Sequence, residues 1–450
     1  MKAVQTDLFE MEQPSASLLA SLLETADAVL VKKLSNNDRD WAKFRNKHQA
    51  GVYMPPVQRD SGFFPPLREK ERPDPEDPPI RETYFSTNWP QFGVEGKKTR
   101  LVHYTSKGPE THVTGLPKEA FSELSPASFL VMARTGETAY TCLTIDSASD
   151  DAILLTDALE LEPDFLIDIR RPADYRQKEK EVILDFVEQA IAAWLKGAIV
   201  PFAHDNAALP PTAVMAEKAR LKFLDIYRLT SLDPFVLGSP GDALREISRG
   251  IEWELFREFQ RRERAIGLVR IIMGDMPYPV DAPSVIRSLI ERVQEVDALM
   301  LSASQQRKSR AGYSFEHHIE SMLTDGKVPF EKQVVIEAKK RPDFILPSLR
   351  VLRKKDEGRA PGLILSAKTT LRERWKQVER EMGGSELFLA TVDENIAANA
   401  IDDMASMGVV LVVPESLKKS KEAEYAGRRN VISFRELFSD EIAARMASWI

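Results

Sequence analysis

The chain has 450 residues, 43% apolar and 29% charged, with a formal charge of −7. That length suits two or three domains, and the composition excludes wholesale disorder, collagen and coiled coil. The single Cys142 excludes a disulfide framework and every Cys-rich zinc module and suits a reducing cytoplasm. The start, MKAVQTDLFEMEQ, carries no apolar signal core, and no stretch approaches the roughly 18 apolar residues of a membrane span. The expectation is a protein neither secreted nor membrane-spanning. The negative total means that any nucleic-acid surface must be local.

In chain order, Leu18, Leu19, Leu22, Leu23, Val29 and Leu30 recur at helical spacing and predict an amphipathic helix over Ser15–Val31. Eight of the 28 prolines fall between Pro55 and Pro79, which predicts an irregular surface excursion. Short strand-like runs follow at Thr99–Tyr104, Ser128–Ala133, Ala139–Ile145 and Ala152–Leu155, so the first half is expected to hold a small β-rich domain. A helix over Lys178–Lys196, with Ile183, Val187, Ala190, Ile191 and Trp194 on one stripe, ends at Gly197 and is expected beside that domain. The small-residue stretch at 204–214 has the composition of a linker, dividing a first domain, 1–203, from a second, 215–450.

Helical patterns over Thr212–Leu229, Pro240–Glu263 and Pro283–Gln305 open the second half, and Tyr313–Leu323 adds another. Apolar runs at Val334–Ile336, Phe344–Leu346, Leu363–Ala367, Leu387–Thr391 and Val409–Val413 then alternate with polar helical segments. This is the pattern of an α/β domain with a buried central sheet.

Chemistry concentrates in Arg341-Pro-Asp343-Phe-Ile-Leu and Leu365-Ser-Ala-Lys368, the lysine lying 25 residues after the aspartate. An aspartate opening one strand and a lysine closing its neighbour can meet at one sheet edge, where a divalent metal and a phosphodiester would fit. The lysine ammonium could orient or help deprotonate the attacking water. On pattern alone the pair also suits a turn proline with a capping aspartate and a surface lysine. The acid expected two residues before the lysine is replaced by Ser366, but Arg372–Met382 reads as a helix that could bring Glu381 to the same place. Glu381 also suits a solvated helix position beside Glu379 and Arg380.

Lys368-Thr-Thr-Leu-Arg372-Glu373-Arg374-Trp375-Lys-Gln, with Glu381 thirteen positions after the lysine, resembles the catalytic and recognition segment of EcoRII-like type II restriction endonucleases. In that family the PD-(D/E)XK site is permuted, the second acid having moved from strand to helix. The resemblance implies metal binding by Asp343 and Glu381, with Mg²⁺ as cofactor, a water-directing role for Lys368, and a supporting acid at Glu316. It also implies that Arg372, Glu373 and Arg374 read the outer C:G pairs of a site beginning CC and ending GG. The chemistry agrees, since arginine donates to guanine O6 and N7 while a carboxylate accepts from cytosine N4. By itself the tripeptide also suits an exposed helix start with a local salt bridge. Arg307-Lys-Ser-Arg310-Ala-Gly312 and Val409-Val-Leu-Val-Val413-Pro-Glu-Ser-Leu417 extend the likeness over most of residues 215–420.

More loosely, Lys33-Leu-Ser-Asn-Asn-Asp38 and His48-Gln-Ala-Gly-Val-Tyr53 resemble the family's N-terminal effector domain, a B3-like pseudobarrel that binds DNA. The implied DNA contacts there are His48, Tyr53, Lys98 and Arg100. Charge is distributed accordingly, with balances of +6 over Glu337–Glu381 and +4 over Val31–Gln58. The resemblance therefore implies a multidomain chain, a B3-like effector followed by an α/β restriction-endonuclease-like domain. It further implies a homodimer in the bacterial cytoplasm acting on double-stranded DNA with two copies of its site. A cognate methyltransferase would belong to the same system without a stable complex. Rival expectations are a non-cleaving DNA-binding regulator of the same fold, and a repair or modification-dependent nuclease.

Other residues are set aside. Adjacent His317 and His318 cannot pair on one helical face to hold zinc, and Cys142 reads as a small core residue. Neither GxxxxGK[ST] nor GxGxxG occurs, which leaves nucleotide-driven chemistry without support.

Overall fold

The computed structural model describes residues 15–44, 51–71, 74, 76–274, 280–334, 341–353, 360–371 and 386–449. By internal contact these form two compact units, Met1–Gln177 with Lys421–Glu424, and Lys178–Ser420 with Tyr425–Ile450. Among the described residues no helix is long and apolar enough to cross a membrane.

The first unit is built on β1 (Val29–Lys33), whose five residues are all buried. Val29 and Val31 face one cluster, with Leu19, Leu22 and Leu23 of the helix Ser15–Thr25 and with Ala152 and Leu155 of the helix Asp150–Ala158. Leu30 faces a second cluster containing Trp89, Leu101, Val113 and Phe121. The sheet adds β2 (Val52–Tyr53), β3 (Arg68–Glu69), β4 (Ile80–Trp89), β5 (Val94–Tyr104), β6 (Thr111–Thr114), β7 (Phe129–Arg134), β8 (Ala139–Ile145) and β9 (Ile167–Arg170). Its order is β2-β6-β5-β4-β8-β7-β1-β9, with β3 on β4. All pairings are antiparallel except β4 with β8.

Three expectations need correction here. The helix expected over Ser15–Val31 ends at Thr25, because Val29–Val31 are taken into the centre of the sheet. Ala152–Leu155 is helical, its first turn capped by the Ser149 hydroxyl, which accepts from Ala152 N–H at 3.3 Å; a four-residue apolar run has no period that separates strand from helix. The proline-rich stretch is not all surface. Phe63 and Phe64 are buried against Tyr140 and Phe85, and the Tyr140 hydroxyl donates to Phe63 C=O at 2.6 Å, contributing about 2–3 kcal/mol per ring.

In the second unit β10 (Glu331–Lys332), β11 (Phe344–Leu346), β12 (Leu363–Ala367), β13 (Leu387–Ala390), β14 (Val409–Val413) and β15 (Val431–Ser433) lie side by side in chain order. The first three pair antiparallel and the rest parallel. Short apolar strands buried on both faces follow from this layout; β12 and β13 have no exposed residue. Tyr313–Leu323 is not a separate helix but the end of a 33-residue one, Val293–Asp325. Its Phe315, Ile319 and Met322 share a core with Phe344, Leu365 and Phe388.

The apolar stripe of the helix Pro172–Leu195, expected beside the β-rich domain, packs within the second unit. Phe186, Ala190, Ile191 and Trp194 cluster with Phe202, Ile266 and Val269 in the second unit. Gly197 ends it as expected, at φ +66° with its N–H on Trp194 C=O. Of 204–214, only Ala208–Pro211 lies outside the helices Ile199–Ala207 and Thr212–Tyr227, and the compact units divide earlier, at Gln177.

Candidate active site

Antiparallel pairing of β11 with β12, Phe344 opposite Leu365, puts the start of one strand and the end of the other at the same sheet edge. Asp343 stands just before β11 and Lys368 just after β12. Asp343 Oδ2 accepts the Ala367 N–H at 2.7 Å and the Lys368 ammonium at 2.9 Å. The Lys368 N–H donates to Ala390 C=O at 2.9 Å, extending the pairing with β13 by one residue. Side-chain exposures of 28% for Lys368 and 13% for Asp343 leave the pair reachable from solvent. Ser366, in the position of the expected acid, is fully buried.

Glu316 joins them from the helix Val293–Asp325, held by the burial of Phe315 and Ile319 on either side of its turn. Burial raises its pKa to about 7; Asp343 and Glu320 add to the rise, and Lys368 and Lys332 oppose it. Lys332 in turn donates to Glu320 at 2.5 Å. The Asp343 carboxylate and the Lys368 ammonium thus meet at this edge, within electrostatic reach of Glu316. Asp343 adds to the proton affinity of Glu316, and oxygen donors of this kind are a set that a hard divalent cation would neutralise. No group of three His, Cys, Asp or Glu suited to a metal occurs among the described residues. Glu381, Arg372, Glu373 and Arg374 lie outside the described residues. His318 is buried against Glu252 at 2.7 Å and His317 lies 3.5 Å from Glu320.

Two buried aspartates were not anticipated. Asp393, 2% exposed, follows β13 and accepts the Leu371 N–H on Oδ2 at 2.8 Å and the Asn395 N–H on Oδ1 at 3.0 Å. Thr391-x-Asp393-x-Asn395 after an apolar strand is the sequence signal that could have revealed this turn. Asp38, fully buried in the first unit, accepts from Lys32, from Ser35 and from the Tyr53 N–H.

The N-terminal candidates share a sheet face. Pairing sets Tyr53 opposite His112, Val102 opposite His112, Arg100 opposite Thr114 and Tyr84, and Lys98 opposite Ser86. Directly opposed and alternate residues point to one side, so Tyr53, Arg100 and Lys98 are on one face while Thr99, Leu101, Val113 and Phe85 fill the core on the other. Lys98 Nζ stacks 4.2 Å from the Tyr84 ring centroid, and Arg100 pairs with Glu82. His112 is half-buried, which lowers its pKa. His48 lies outside the described residues.

Residues 281–438 match the family described as EcoRII C terminal. The chain is 36% identical over 137 residues to the type II restriction enzyme EcoRII of Escherichia coli, which takes in 30% of this chain and 34% of that protein. It is 25% identical over 215 residues to the type II restriction enzyme SsoII of Shigella sonnei, covering 45% and 68% respectively. Among solved structures, metal-depleted Ecl18kI in complex with uncleaved DNA aligns over 58% of this chain and 84% of its own, at 23% identity and a TM-score of 0.45. Residues 281–438 are thus similar to the C-terminal part of EcoRII and to SsoII, both type II restriction enzymes. The similarity to EcoRII itself spans about a third of that enzyme's length.

Proposed function

We propose that the chain is a type II restriction endonuclease, hydrolysing both strands of DNA at a short palindromic or pseudopalindromic site that begins CC and ends GG. The observation that carries this reading is the solvent-reachable Lys368–Asp343 pair at 2.9 Å with Glu316 beside it, inside the stretch that matches EcoRII C terminal. Asp343 and Glu381 would hold Mg²⁺, which would supply neutralisation of charge developing on the phosphate. Lys368, steered by its ion pair, directs and helps deprotonate the attacking water. Glu316, already inclined to hold a proton near neutrality, is the supporting acid. Arg372, Glu373 and Arg374 read the outer base pairs.

The B3-like effector lies within residues 1–203, and its pseudobarrel offers Tyr53, Lys98 and Arg100, with His48, to a second copy of the site. Residues 204–214 link it to the catalytic domain, 215–450. The enzyme is a homodimer, one active site per strand of a two-fold site, and effector occupancy controls cleavage. It acts in the bacterial cytoplasm beside a cognate methyltransferase with which it forms no stable complex.

The test is incubation of the pure protein with unmethylated phage DNA and Mg²⁺, followed by sequencing of the fragment ends. Discrete ends within CC…GG sites are expected. No cleavage would favour a DNA-binding regulator, and cleavage confined to methylated or damaged DNA would overturn the restriction reading. A short site-bearing duplex added in trans should accelerate cutting of a one-site plasmid.

A further inference from the structure

The segment that leaves β12 is pinned twice to the segment that leaves β13. The first pin is backbone to backbone, Lys368 N–H to Ala390 C=O at 2.9 Å. Three residues on, where sheet pairing has ended, a side chain takes over: Asp393 Oδ2 accepts the Leu371 N–H at 2.8 Å. Asp393 is itself immobilised. Its N–H donates to Thr391 Oγ1 at 3.0 Å, its Oδ1 accepts from Asn395 N–H, and its C=O accepts the hydroxyl of Tyr425, which is fully buried. The next residue, Glu394, is clamped by Arg245 at 3.0 Å and Arg249 at 3.8 Å. Leu371 is fully buried, and Arg372 follows it directly in the chain.

We propose that Asp393 is a positioning residue that ties base discrimination to the lysine. It sets where the backbone stands as it enters Arg372-Glu373-Arg374, relative to the Lys368–Asp343 pair. The inference rests on the function proposed above. Physically, a carboxylate whose two oxygens are both satisfied by backbone N–H groups resists displacement, because a lost partner leaves a buried charge or amide unsatisfied. Three residues between two fixed points span at most ~10 Å and have little slack. A shift in Leu371 therefore changes the point from which the chain continues to residue 372 without moving the lysine's own anchors.

The test compares wild type, Asp393→Asn and Val412→Ala, the last a cavity variant in β14 of the same core. Asparagine keeps the shape but offers one acceptor oxygen for two N–H groups. Cognate duplex and duplexes altered at one outer C:G pair are cleaved under single-turnover conditions at saturating enzyme. For Asp393→Asn the ratio of cognate to altered-site rates should fall about tenfold or more, with a smaller loss in the cognate rate. For Val412→Ala, the melting temperature falls while that ratio stays as in wild type. An unchanged ratio in Asp393→Asn, or an equal fall in Val412→Ala, overturns the proposal. Should Asp393→Asn fail to fold, amide exchange in the wild type decides: a Leu371 N–H that exchanges as fast as a solvated amide means that no such brace exists, while strong protection supports it. If the wild type cuts no duplex, the enzymatic reading falls and the positioning role with it; a cutting wild type with an unaltered Asp393→Asn ratio removes only the latter.

Discussion

Each unit contains a Lys–Asp pair at nearly the same distance, Lys32–Asp38 at 2.7 Å and Lys368–Asp343 at 2.9 Å. They do different things. Lys32 and Asp38 are 8% and 0% exposed, and the Asp38 oxygens also take Ser35 N–H, Ser35 Oγ–H and Tyr53 N–H. That carboxylate is saturated, and its function is to join β1, the helix Asn36–Lys43 and β2. Among the described residues both donors to Asp343 fall on Oδ2, a second acid stands beside the pair, and the lysine is more than a quarter exposed. Ion-pair distance does not distinguish a buried, saturated pair from one open to solvent. Saturation of the carboxylate and solvent access do.

The largest effects should come from removing one partner of each pair. Lys368→Ala or Asp343→Ala should lower cleavage by about 10²- to 10⁴-fold, measured on supercoiled plasmid, while Ca²⁺-supported binding and the melting curve stay near wild type. A Lys368→Ala enzyme cutting at the wild-type rate would break the contrast. Lys32→Ala should do the reverse. Leaving Asp38 charged and buried costs about 3–5 kcal/mol, or roughly 10 °C in the melting of a unit this size, with little change in the cleavage rate of the folded fraction. Calorimetry separates the two outcomes.

A smaller effect concerns Glu316. Its folded pKa of about 7 lies above the ordinary 4.5, so the folded state holds its proton where the unfolded state has lost it, and stability falls as pH rises from about 4.5 to about 7. Above that window the penalty is constant. Glu316→Gln should therefore melt at the wild-type temperature near pH 4 and a few degrees higher at pH 8 in metal-free buffer. A difference that is constant across pH would mean that the carboxyl is not desolvated. Smallest of all, Lys98→Ala should weaken DNA binding evenly across sequences and reduce the salt slope by about 1, as titrations at several salt concentrations would reveal.

Most of the second unit was legible because its strands are short apolar runs between polar helices, and Phe344–Leu346, Leu363–Ala367 and Val409–Val413 fall where the pattern puts them. The first unit was harder. β4, Ile80–Trp89, was missed although Phe85, Thr87 and Trp89 alternate inward, since Arg81, Glu82 and Thr83 before them and Ser86 and Asn88 between them dilute the apolar signal. Ala152–Leu155 went to the wrong class for want of a period, although Ser149-Asp150-Asp151 is a helix start. Asp38 and Asp393 were overlooked because an aspartate beside a turn looks alike in sequence whether its oxygens meet water or backbone amides.

By itself the sequence determined which residue types could carry nuclease chemistry and that the second half would be α/β, because hydrophobic period and side-chain acidity are local properties. Only the tertiary structure decided that Asp343 meets Lys368, since that depends on β11 running antiparallel to β12. The same holds for the proton affinity of Glu316, which burial raises and which neighbours far along the chain modify. It holds also for Tyr53, Lys98 and Arg100 sharing a face, a matter of strand register that no single segment encodes.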